Sequence, residues 1–95
     1  MSVDPARLLL RALRRSAADA GLNVELQHEA ETPWASATFV GGQHRVRVTG
    51  EALDAWLDGL AEADLPVRGH LVADCAVTRQ RGGALLTILL LDAAD

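Results

Sequence analysis

The side chains through which this 95-residue chain could do chemistry are few: His28, His44, His70, the single Cys75, and the group Trp34, Arg45 and Arg47. Imidazoles relay protons and bind metals, but a metal centre needs at least three donors that converge. The sequence contains no HxH, HExxH or CxxC spacing. His28 and His44 share the core-side parity of the strands derived below, yet the register read there sets them on different rungs of non-adjacent strands. No metal and no cofactor is therefore expected. Cys75 also has core parity, where a thiol acts as a small hydrophobe rather than a nucleophile. "GGQH" and "RGGAL" lack the strand before and the helix after that a phosphate-cradling loop requires. Trp34, Arg45 and Arg47 offer an aromatic platform with two anion contacts, a combination suited to single-stranded nucleic acid. These observations weigh against an enzyme and leave Trp34, His44, Arg45 and Arg47 as candidate ligand-binding residues.

The elements that must position these groups follow from periodicity. Asp4 as N-cap, Pro5 at the first helical position and Gly21 as a left-handed stop predict a helix from Pro5 to Ala20. Its apolar stripe is Ala6, Leu9, Leu10, Leu13, Ala17 and Ala20, with Leu8 near the exposed side and Arg7, Arg11, Arg14 and Arg15 on an adjacent arc. Period-2 alternation predicts strands over Leu22 to Ala30, Trp34 to Val40 and Gln43 to Thr49. Glu31-Thr32-Pro33 reads as the first turn and Gly41-Gly42 as a two-residue hairpin loop. A second helix is predicted from Gly50 or Glu51 to Ala63, with a Leu53, Trp56, Leu57, Leu60 stripe and acids on much of the rest. His70 to Gln80 and Ala84 to Asp92 read as a last hairpin around Gly82-Gly83, with Val77 facing Ile88 and Cys75 facing Leu90.

In this register the core rungs are Val24–Phe39–His44, Leu26–Ala37–Val46 and His28–Ala35–Val48. The outer rungs are Glu25–Thr38–Arg45, Gln27–Ser36–Arg47 and Glu29–Trp34–Thr49. The expected fold class is α+β: one two-layer domain over residues 1–95, an antiparallel five-stranded sheet with two helices on one face, in the order α-β-β-β-α-β-β. The opening α-β-β-β-α is similar in element order to double-stranded RNA-binding domains. Those carry a basic cluster at the second helix, where this chain has Glu51, Asp54 and Asp58.

Composition is that of a globular protein, 49% apolar and 23% charged, with a net charge of −4 that disfavours generic polyanion binding. The lone cysteine excludes an internal disulfide. No apolar run is long enough to span a bilayer, and no secretory signal is recognisable. A cytoplasmic protein without a membrane partner is the expectation. The run "ALLTILLL" is apolar on both faces, which a strand with one wet side does not need. It predicts an interface at Val72, Leu85, Leu89 and Leu91, and with it a protein-association module that pairs with a second copy or with another protein. A small-ligand or catalytic site near His44, His28 and Trp34 is the alternative, and nucleic-acid binding through Arg45 and Arg47 a second, less favoured one.

Overall fold

The computed structural model describes residues 4–93. Helix α1 (Pro5–Asp19) is followed by strands β1 (Val24–Ala35) and β2 (Val40–Gly50), helix α2 (Asp54–Leu60), and strands β3 (His70–Gln80) and β4 (Gly83–Asp92). The class is α+β with an antiparallel sheet and two helices, but the sheet has four strands, in the order β1-β2-β4-β3, rather than five.

α1 forms as its caps dictate. The Asp4 carboxylate accepts from the Ala6 N–H at 3.0 Å, Pro5 opens the helix, and Gly21 closes it at a φ of +78°. Leu9, Leu13 and Ala17 are buried as expected, with Ala12 in place of the exposed Ala20. α2 is shorter than the sequence suggests, because Ala52 takes a φ of +57° and forbids a helical start at Glu51. Its Leu53, Trp56, Leu57 and Leu60 are all buried, and the Trp56 Nε1–H donates to Ser16 Oγ of α1 at 3.0 Å.

The missing strand is a correction to the reading of residues 31–43. Glu31-Thr32-Pro33 is no turn: it continues β1, an edge strand, where a residue without an N–H is tolerated. Gly41-Gly42 is no loop either, but lies in β2 and pairs with both Trp34-Pro33 and Leu91-Leu90. The hairpin turns instead at Ser36–Phe39. There the Ser36 hydroxyl accepts from the Thr38 and Phe39 N–H groups at 3.3 and 3.1 Å, and the Ser36 N–H donates to the Phe39 carbonyl at 2.8 Å. Phe39, expected on a core rung opposite His44, is thus an exposed residue of the loop.

β3 spans the predicted residues, and its hairpin to β4 turns at Arg81-Gly82. Cys75 pairs with Ile88 and Val77 with Leu86, two residues from the expected partners, so each side chain keeps its face. Two bulges interrupt the ladders, one at Glu29 in β1 and one at Ala73 in β3. Val46, Val48, Ala84, Leu86, Ile88 and Leu90 point inward and share one core with α1, α2 and the connecting residues Leu65 and Val67. Both helices therefore cover one face and leave the other bare.

Candidate functional site

The bare face is laid out by the register as rungs of four. From one end they read Trp34–Gly41–Leu91–Leu71, Thr32–Gln43–Leu89–Asp74, Ala30–Arg45–Thr87–Ala76 and Gln27–Arg47–Leu85–Thr78. Of the predicted interface residues, Leu85 and Leu89 stand here half-buried, and Leu91 is only 8% exposed. Val72 does not belong to the face. The bulge at Ala73 reverses strand parity, so Val72 packs against the helix-side core and Leu71 turns outward, 55% exposed. The exposed large hydrophobic residues, Trp34, Phe39, Val40 and Leu71, gather at the end of the sheet where β1 turns into β2 and β3 begins.

Trp34, Arg45 and Arg47 share this face, whereas His44 is on the other, so the four candidate ligand residues do not form one site. Arg47 is engaged: its Nε donates to the Glu29 carboxylate at 2.8 Å and its Nη1 to Gln80 Oε1 at 3.3 Å. Glu29 is held below its usual carboxylate range by that hydrogen bond, and Arg47 is pushed up by the same contact. The acidic arc of α2 is matched not by the arginines of α1 but by Arg79 of β3, which donates to Asp54 at 2.7 Å and also to Asp58.

The histidines give the sharper geometry and a second correction. His28 and His44 lie on adjacent strands and touch, with His28 Nε2 and His44 Nδ1 2.9 Å apart. Glu31 joins them, its Oε1 3.9 Å from His44 Nδ1. Glu31 lies three positions after His28, an odd spacing that in a regular strand would put them on opposite faces. The extra residue at Glu29 brings both to the helix side, with Glu31 directly across from His44. Gly42 completes the surroundings: a Cβ there would sit 3.0 Å from Glu31 Oε2 and 3.3 Å from His44 Nε2.

His44 is 1% exposed, the one polar residue buried in the core of the described chain. Burial pushes its pKa below the ordinary histidine value, aided by the neighbouring His28 and His70 and opposed by the carboxylates of Glu31 and Asp4. The ligand atoms of His28, Glu31 and His44 all lie within 4.8 Å of one another. His70 is outside this group, 3.4 Å from Asp92, and brings no fourth donor among the described residues. Cys75 is buried as expected, and burial together with the charge of Asp74 pushes its thiol up to about 11.

A shallow groove between α1 and residues 64–70 brings Arg11, Arg15 and Arg68 together with Asp19 and Asp64, a mixed set of charges. No helix among the described residues is long and apolar enough to cross a membrane. Comparison of the chain with protein-family models, with curated proteins and with solved structures finds no match.

Proposed function

We propose that the chain is an association module whose bare sheet face is covered by a second copy of itself. The observation that carries this reading is the exposure of Trp34 and Leu71 on one rung of a face that also holds Leu85, Leu89 and Leu91, with Phe39 exposed in the loop at the same end. Exposed apolar side chains forgo roughly 1.5–3 kcal/mol each relative to full burial, and concentrating them in one place favours a partner over scattered contact with water.

The order of the rungs is compatible with two-fold pairing. A two-fold axis running along the strands, between β2 and β4, lays Trp34 of one copy over Leu71 of the other. The same operation sets Leu91 against Gly41, which carries no side chain to oppose it. Two twisted sheets stack in this aligned manner at about −30°. Overall extents of 39 × 22 × 22 Å give the face a footprint on the order of 800 Å², the share each partner contributes to a standard interface. Nucleic-acid binding is less well supported: Arg47 is already paired with Glu29, and the net charge is −4.

Light scattering on the purified chain tests the proposal. A mass of twice 10.1 kDa is expected for the parent, and a single-chain mass for Leu71→Glu and Trp34→Glu, two exposed positions where the fold tolerates charge. A parent that stays a single chain at high concentration, or variants that pair as tightly as the parent, overturns it.

A further inference from the structure

We propose that His28, Glu31 and His44 bind one divalent first-row transition ion of the Zn²⁺ class, through two imidazole nitrogens and one carboxylate oxygen. The site is separate from the bare face and does not depend on the association proposed above.

The donor set comes first. Two imidazoles and a carboxylate suit borderline cations such as Zn²⁺, Co²⁺ and Ni²⁺, whereas Mg²⁺ and Ca²⁺ prefer oxygen alone. Distance comes second. Zn–N bonds of about 2.0–2.1 Å place two nitrogens on one ion roughly 3.0–3.4 Å apart, depending on coordination number. The imidazole nitrogens stand at 2.9 Å, so a small parting of the rings admits the ion. The Glu31 oxygen, 3.9 Å from His44 Nδ1, closes on it by a rotation of an exposed side chain.

Positioning comes third. All three side chains project from paired strands, and the bulge that turns Glu31 inward is an interruption the ladder would otherwise lack. Bulges of this kind recur where a side chain must be re-aimed beside a functional site. Gly42 keeps the space beside the carboxylate and the His44 ring clear, since even a methyl group would crowd both. Access comes fourth. His44 is sealed in the core, but Glu31 is 44% exposed and His28 half-buried, so the ion is reached from solvent along the open edge of β1. Three protein donors on an accessible ion leave room for water, the arrangement of an open site rather than a closed structural one.

The test uses the full chain without a purification tag, stripped of metal, with Zn²⁺ and Co²⁺ as probes. Expected are saturation at one ion per chain, a melting temperature that rises with metal concentration, and visible Co²⁺ absorption characteristic of nitrogen ligation. Because loss of the buried His44 could prevent folding, the informative variants are Glu31→Gln and His28→Gln. Each should weaken binding by at least the roughly 10–100-fold that even outer-shell changes cause. His70→Ala, outside the donor set, should still take up one ion per chain. Absence of any spectral or thermal response, equal stabilisation by Mg²⁺, or undiminished binding in both cluster variants overturns the assignment. Because Leu71→Glu leaves the cluster untouched, that variant should bind metal as a single chain, which separates this outcome from the fate of the association proposal.

Discussion

Replacing Gly41 by alanine distinguishes a glycine in the ladder from a glycine in a turn. In the structure, a Cβ at this position would lie 1.9 Å from the Leu90 carbonyl oxygen and 2.9 Å from Leu91 Cα. Both are backbone atoms, so no side chain can swing aside, and relief requires β2 and β4 to separate locally by more than an ångström. Gly41↔Leu91 is the first pair of the β2–β4 ladder, so the strain is released by fraying that end rather than by splitting the sheet. Fraying gives up about two ladder hydrogen bonds, each worth roughly 0.5–1.5 kcal/mol net, and leaves groups poorly solvated, for about 2–4 kcal/mol in all. For a chain of this size that lowers Tm by roughly 10–25 °C. Thermal unfolding followed by circular dichroism measures it. Gly59→Ala in α2 is the control: nothing lies within 4 Å of its Cβ, and a helical glycine-to-alanine change should stabilise by about 0.5–1 kcal/mol. A Gly41→Ala protein that melts no lower than the parent would refute the paired position of Gly41 and restore the two-glycine turn.

Two further outcomes follow from the core. The folded chain holds the Cys75 proton more tightly than the unfolded chain does, with a pKa of about 11 against an ordinary 9.0. Its contribution is complete below pH 9 and is lost as pH rises towards 11, up to about 2–3 kcal/mol; urea midpoints of parent and Cys75→Ala should therefore converge over that window, and parallel curves would contradict it. Ser16→Ala leaves the Trp56 Nε1–H without its partner 3.0 Å away and should cost about 1–3 kcal/mol, and a cycle with Trp56→Phe should return a coupling of at least about 0.5 kcal/mol by urea denaturation. Additive single changes would mean that the bond between the helices contributes nothing.

The elements that could be read from sequence are those whose signals are local and agree with one another. Asp4, Pro5 and Gly21 bound α1 because capping depends on the few residues at each end. The faces of β4 and of β3 from Asp74 onward survive a two-residue error in their pairing because side-chain parity is insensitive to even shifts, whereas the bulge at Ala73 exchanges the expected faces of Leu71 and Val72. The β1–β2 hairpin failed for the opposite reason: Pro33 and Gly41-Gly42 are strong turn signals that tertiary pairing overrode, while the loop at Ser36–Phe39 lay inside an alternating stretch. The inward parity of His28 and His44 was legible. Their contact, and the part of Glu31, depended on the bulge at Glu29, which no alternation of polar and apolar residues announces.

The irregularities of the two outer strands bear on edge-to-edge addition. An unpaired strand flank is a template on which another chain can add, and repeated addition makes fibres. Here β1 carries a bulge and Pro33, which offers no N–H, and β3 is broken by its own bulge at Ala73. Neither flank presents an unbroken row of donors and acceptors for a neighbour to read. Growth in the plane of the sheet is thereby disfavoured on both sides.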